Sequence, residues 1–246
     1  MIDENELFPL ISKDLRLRLV EPYIYSIYPH GMDNISYDNM GAFYDLVLCN
    51  RFYNRLMWGY SVTDYASLTH DVLRSSTNGW VLDAGCGSLA FTARTYVSYS
   101  ERPVILLDRS IRMLRAAKAR MIKLNGHVPA NMTFFHGDIL QLPFVPKSFH
   151  TIISLNVLHV LEDMKKMLLE LKNAVVDEGT MSFTTLVTNN RCSDRYLNIL
   201  GLSAEVVPRN ASQLAATFNE LDMPTDYHVR GNMMFIHYRG SRYEAE

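Results

Sequence analysis

The chain is poor in cysteine, has no long apolar run and carries almost no net charge. Its three cysteines, Cys49, Cys86 and Cys192, stand far apart. No Cys-x-x-Cys pair or Cys/His grouping occurs, so no metal centre is expected. A sparse, odd cysteine count suits a reducing compartment. No stretch reaches the roughly 18 apolar residues of a membrane helix. A formal net charge of −2 gives no field that would gather nucleic acid or an anionic membrane. The opening Met1-Ile2-Asp3-Glu4-Asn5-Glu6 is acidic and lacks the basic-then-apolar layout of a secretory leader. These absences point to a cytoplasmic protein with no membrane span and no nucleic-acid partner.

The first 78 residues also lack a glycine-rich turn. They hold instead a dense set of rings: Tyr37, Phe43, Tyr44, Phe52, Tyr53, Trp58, Tyr60 and Tyr65. Tyr44, Leu48, Phe52 and Leu56 keep helical spacing, and 14–28 reads as a helix up to Pro22 with a short element after it. Residues 1–78 are therefore expected to form a helical cap, with Tyr37, Tyr44 and Tyr53 as substrate-facing residues.

The stretch that organises the rest is Val81-Leu82-Asp83-Ala84-Gly85-Cys86-Gly87-Ser88. An apolar run ends in an acid, two glycines follow, and a helix-like pattern begins. Strand, glycine turn and helix start together cradle a ligand, because glycine lets backbone approach it closely and a helix start offers free N–H groups. Further strands are expected at 103–107, 131–136, 149–155 and 180–187, alternating with helices. Continuous rather than alternating apolar character marks strands buried on both faces. Helix 111–123 should turn Ile111, Leu114, Ala117 and Met121 inward, with Ser110 as its cap; its basic side reads as a solvated face. Asp177-Glu178-Gly179 reads as a turn, and Gly231-Asn232 as the tip of a closing hairpin. The expected fold is α/β: a doubly wound, mostly parallel seven-stranded sheet whose last strand is antiparallel. The expected core is 79–246.

Such sheets bind ligands at the carboxyl ends of their strands. Asp83, Asp108, Asp138 and Asn156 fall at those ends. An acid at the tip of the second strand can hold both ribose hydroxyls. Gly85-x-Gly87-x-x-Ala90 is a permitted dinucleotide fingerprint, but Asp83 would then face a pyrophosphate, and like charges repel. A cationic cofactor reverses that objection.

From Trp80 to Leu186 the chain resembles the class I S-adenosylmethionine-dependent methyltransferases. The likeness rests on 81–87, on Leu107-Asp108-Arg109-Ser110, on Gly137-Asp138-Ile139 with Leu142-Pro143-Phe144, and on Asn156-Val157-Leu158-His159. It implies S-adenosylmethionine as cofactor. Gly85, Cys86 and Gly87 would pass under its methionine part, with Asp83 at the amino-acid end. Asp108, followed by Arg109, would hold the ribose. Asp138 and Ile139 would hold the adenine, and Asn156 would complete the cofactor side. His159 is the candidate general base. Two departures stand out: Asp177-Glu178-Gly179 replaces a Pro-Gly-Gly type turn, and Ser88-Leu89 replaces a third glycine. The layout is most similar to the small-molecule branch that includes the ubiquinone and menaquinone C-methyltransferases. Methyl transfer to a small molecule is thus the expected activity, and a non-catalytic, cofactor-binding scaffold or regulatory protein is the alternative.

Overall fold

The computed structural model describes residues 2–29, 54–75, 78–99, 101–202 and 206–240. The strands are β1 (Arg18–Glu21), β2 (Ile24–Ser26), β3 (Trp80–Ala84), β4 (Val104–Asp108), β5 (Met132–His136), β6 (Phe149–Leu155), β7 (Val175–Leu186), β8 (Thr225–Arg230) and β9 (Met233–Arg239). The helices are α1 (Glu4–Leu7), α2 (Thr63–Ser75), α3 (Ala93–Val97), α4 (Ile111–Asn125), α5 (Met164–Ala174), α6 (Asp194–Leu202) and α7 (Ala211–Glu220). Among the described residues the nine strands form one sheet, in the order β1-β2-β5-β4-β3-β6-β7-β9-β8. From β2 to β7 neighbouring strands are parallel; β9 runs antiparallel to β7. The chain winds outward from β3 through β4 to β5, then crosses back to β6 beside β3. The winding therefore reverses between β3 and β6, where α/β sheets open a ligand crevice.

The apolar runs are continuous because successive side chains enter two different cores. Val104 and Leu106 join Val81, Ile153, Leu114 and Met121 on one face. Ile105 and Leu107 join Leu82, Ile152, Leu168 and Leu171 on the other. Helix α4 turns Ile111, Leu114, Ala117 and Met121 inward, and Ser110 caps it by accepting from the Met113 N–H at 3.3 Å. Each leucine buried this way stabilises the fold by about 1.5–3 kcal/mol. The closing turn lies under residues 58 and 59. A Cβ on Gly231, whose φ is +62°, would sit 2.0 Å from the Trp58 carbonyl oxygen, so only glycine fits.

Four features differ from the sequence expectation. The sheet has nine strands rather than seven, because 18–26 forms a hairpin instead of a helix and a short element. Pro22 sits in its turn, Tyr23 takes φ 74°, and β2 docks in parallel on β5. The N-terminal region is thus not wholly a helical cap: Ile2, Leu7 and Ile11 are also part of the core on the α5 face. Helix α3 is short because the loop before it, with Leu89 at φ 54°, takes up the residues expected to be helical. Asp177-Glu178-Gly179 is not a turn. It lies within β7, where the pairing slips between Phe149↔Val175 and Thr151↔Thr180. The slip lets the acids bulge out while the strand continues.

Candidate active site

The ends of β3, β4, β5 and β6 converge at the crevice, and each carries a polar residue there. Asp83 on β3 is buried, at 2% exposure. One carboxylate oxygen, Oδ2, accepts from the Tyr96 hydroxyl at 2.7 Å. The other, Oδ1, is buried with no hydrogen-bond partner among the described residues. Burial pushes the Asp83 carboxyl up to about 7; the Tyr96 hydrogen bond pulls it down, and the nearby Asp108 charge raises it. A buried acceptor without a donor costs about 1–3 kcal/mol, so this oxygen suits a donor brought by a ligand.

The glycine loop follows directly. Gly85 and Gly87 adopt φ 82° and 56°, and the N–H groups of Gly85 and Cys86 both donate to the Leu107 carbonyl, at 2.8 and 2.9 Å. A Cβ on Gly85 would strike Val157 at 2.5 Å, whereas one on Gly87 would meet open space. Gly87 therefore borders the cradle, and its N–H donates to Asp108 Oδ2 at 2.8 Å. Asp108 Oδ1 accepts the Ser110 N–H at 2.8 Å. Those two bonds fix the carboxylate at the tip of β4, and an ionised carboxylate can accept about four hydrogen bonds in all. Arg120 on α4 ties down the loop from behind, donating to the Ser88 carbonyl at 2.6 Å and its hydroxyl at 3.1 Å. Burial and the charges of Asp108 and Asp83 hold the Cys86 thiol well above its usual value.

Asp138 stands two residues beyond β5. Its Oδ1 accepts the Leu140 N–H at 2.9 Å, and Ile139 beside it is buried. The Arg109 side chain is exposed, while its carbonyl meets His136 Nε2 at 3.1 Å. Asn156 ends β6 in the left-handed region, φ 60°. Its N–H donates to the Thr184 carbonyl at 2.8 Å and its Nδ2 to the Tyr65 hydroxyl at 2.7 Å. The Tyr65 ring stacks on Phe91 at 5.1 Å and meets Tyr60 edge-on at 5.4 Å, so an aromatic wall adjoins Asn156.

His159 is not presented as the general base that the sequence suggests. Its imidazole is buried; Nδ1 accepts the Leu186 N–H at 3.3 Å and lies 3.3 Å from the Thr185 hydroxyl. Burial, helped by the Arg209 charge, lowers it to about 4, so the ring is neutral with its proton on Nε2. The lone pair a base would use is already engaged. This arrangement ties the loop after β6 to β7; it does not present a general base. Tyr37, Tyr44 and Tyr53 lie outside the described residues. The sequence assigns no site contact to Tyr96, Tyr65 or Arg120; Tyr65 stands in the aromatic-rich stretch, and Arg120 on the helix side that reads as solvated.

The carboxylates of Asp83, Asp108 and Asp138 thus line one end of the sheet around a loop that permits close approach. That charge repels a pyrophosphate and suits a ligand with an ammonium, a ribose and an adenine. Orphaned oxygen, open cradle and strand-tip acid together suit S-adenosylmethionine. Among the described residues no helix is long and apolar enough to cross a membrane.

Comparison with curated proteins found no match. Solved structures of low sequence identity share the fold. A SAM-dependent methyltransferase from Aquifex aeolicus is 15% identical with a TM-score of 0.58, over 79% of this chain and 95% of its own. A phosphoethanolamine N-methyltransferase of Haemonchus contortus, solved with phosphomonomethylethanolamine and S-adenosylhomocysteine, is 16% identical with a TM-score of 0.63, over 86% and 60%. The [4+2]-cyclase SpnF is 14% identical with a TM-score of 0.59, over 82% and 95%. The profile of one family, described as a methyltransferase domain, matches residues 75–220. That span is more than half of the chain and holds every acid of the site, and the protein belongs to the methyltransferase-domain family.

Proposed function

We propose that the protein transfers the methyl group of S-adenosylmethionine to a small-molecule acceptor. The observation that carries this reading is Asp83 Oδ1, a buried oxygen with no donor among the described residues, beside an open glycine cradle. In this reading Asp83 receives the cofactor's ammonium, and Gly85, Cys86 and Gly87 follow its methionine part. Asp108 holds the ribose hydroxyls, with Arg109 beside it. Asp138 accepts from the adenine amino group, and Ile139 packs on the ring. Bound there, the cofactor supplies an electrophilic methyl group. Phe91, backed by the buried Tyr65 ring, and Asn156 border the acceptor, and an apolar side there favours a compact, partly apolar molecule. The residues contribute proximity and orientation, worth up to about 7–11 kcal/mol in favourable cases. Residues 79–246 form the cofactor-binding unit, and 1–78 add Tyr65, whose buried hydroxyl holds the Asn156 side chain from behind. The phosphomonomethylethanolamine bound to the Haemonchus enzyme is a small acceptor of the kind proposed.

The test incubates purified protein with methyl-labelled S-adenosylmethionine and fractionated metabolites. Label should appear in a small molecule and should vanish with Asp108→Ala. Tight S-adenosylhomocysteine binding without transfer to any fraction would favour a non-catalytic scaffold instead. The cyclase SpnF shows that this fold also occurs in a protein named for other chemistry.

A further inference from the structure

The hairpin 18–26 is an addition to the parallel sheet, and it delivers one side chain to the proposed adenine end. In the register of β2 on β5, Ser26 pairs with His136. The pairing continues one step beyond the strands: the Ile27 N–H donates to the His136 carbonyl at 3.3 Å, and a Cβ on Gly137 would lie 3.6 Å from Ile27 Cδ1. Carried one residue further, the same register sets Tyr28 beside Asp138, just beyond the end of β5.

Tyr28 is fixed there by more than register. Its N–H donates to Ser26 Oγ at 3.1 Å, and its carbonyl accepts from Arg18 Nη2 at 3.4 Å. Its ring stands edge-on to the His136 imidazole at 4.7 Å. That imidazole is oriented in turn. The Arg109 carbonyl can only accept, so His136 Nε2 carries the proton that fills the 3.1 Å contact. Nδ1 therefore accepts from the Ser26 hydroxyl at 3.0 Å. A continuous chain, Tyr28 N–H to Ser26 to His136 to the Arg109 carbonyl, links the hairpin to the loop after β4. The phenol itself is only half-buried. Burial and then the charge of Asp138 raise it, and the charge of Arg109 opposes them, so it lies within electrostatic reach of both residues.

We infer that Tyr28, set beside Asp138 by the β2–β5 register, is a cofactor-binding residue that closes the adenine edge of the site. This rests on the proposed placement of the adenine at Asp138. A phenol there offers a flat apolar edge to the purine and a hydroxyl that can bond its ring nitrogens.

The experiment uses the full chain labelled with 3-fluorotyrosine, the Tyr28 resonance being identified by its absence in Tyr28→Phe. 5′-Methylthioadenosine, which carries the adenine and ribose without the amino acid, is titrated in and the 19F spectrum followed. The Tyr28 resonance should move in step with saturation. In calorimetry, Tyr28→Ala should weaken methylthioadenosine and S-adenosylhomocysteine by the same factor, about tenfold, the size expected of one ring contact. Tyr28→Phe should keep most of the affinity and a wild-type melting temperature. A Tyr28 resonance that stays still at saturation, or an unchanged affinity in a folded Tyr28→Ala, overturns the inference. If Tyr28→Ala fails to fold, the fluorine titration decides alone. Absence of S-adenosylhomocysteine binding to the wild type overturns the cofactor placement and this inference together.

Discussion

Asp83→Asn separates the cost of the buried acid from its use. In the folded chain the carboxyl rises from 3.8 to about 7. A folded value above the unfolded one means that the native state holds the proton more tightly. Stability is then complete below about pH 3.8 and is lost as pH rises through about 7. Each pH unit between the two values costs about 1.4 kcal/mol, so the ionised acid destabilises the ligand-free protein by up to about 4 kcal/mol at pH 8. Asparagine keeps the shape without the charge. Its amide oxygen can still accept from Tyr96, and the charge-assisted form of that bond, worth about 1.5–3 kcal/mol, exists in the wild type only where the acid is ionised, above about pH 7. Against wild type, the variant's melting temperature should start level or lower at pH 4.5 and climb to a plateau above pH 7. For a chain of this size about 2–4 °C corresponds to each kcal/mol, so the climb should be roughly 10 °C. His159 opposes this trend in the wild type. Its folded value of about 4 lies below the usual 6.5, so its contribution is complete above pH 6.5 and lost as pH falls through about 4. Taking the difference between variant and wild type cancels that term. The assay is differential scanning fluorimetry from pH 4.5 to 8.5, with and without S-adenosylhomocysteine. The ligand should raise the wild type more than the variant at pH 8. A difference curve that is flat with pH would refute the claim that Asp83 is an orphaned acid.

Three further outcomes are expected. Asp108→Ala should weaken S-adenosylhomocysteine by about 1.5–3 kcal/mol per charged hydrogen bond lost, read by calorimetry; an unchanged affinity removes Asp108 from the site. His159→Gln should destabilise the fold by about 1–3 kcal/mol through the unsatisfied Leu186 N–H, read as a lower melting temperature. It should leave the pH profile of turnover in place; loss of 100-fold or more in turnover, with the low-pH limb of that profile gone, would restore it as a base. Leu114→Ala, at a fully buried position on α4, should cost about 2–5 kcal/mol in urea unfolding with no change in ligand affinity of the folded protein.

What was legible in the sequence is what the local pattern alone determines. Val104 to Leu107 reads as a doubly buried strand because each residue enters a core, and both cores exist in the fold. The glycines and the three acids were legible because strand ends in such a sheet leave few other places for them. The hairpin at 18–26 was not, because Arg18-Leu19-Val20-Glu21 and Ile24-Tyr25-Ser26 are short and Pro22 suits a helix break as well as a turn. Its conformation is decided by a partner more than a hundred positions away, through Ile24↔Phe134 and Ser26↔His136. The same holds for His159. A histidine in a loop after β6 reads as an exposed base until β7 covers it with the Leu186 N–H.

These two misreadings have one cause, and it bears on how the site is built. Residues that meet the crevice through their own strand end, such as Asp83 and Asp108, show their position in sequence. Residues that meet it from another element of the fold do not. Tyr65 reaches Asn156 from α2, Tyr96 reaches Asp83 from α3, and Arg120 reaches Ser88 from α4. Each is a long side chain that crosses from a packed helix to a strand-end loop. Such a side chain loses up to about 2 kcal/mol of rotamer freedom when it is fixed. That loss is tolerable only where the hydrogen bond it makes is strong or the group it satisfies is buried. Tyr96 meets both conditions at Asp83. The site is accordingly two layers deep: acids on the strand ends set the charge, and helix residues behind them set the geometry. A substitution in the second layer, such as Tyr96→Phe, should move the Asp83 titration upward without touching a ligand, because it removes the one interaction that lowers it.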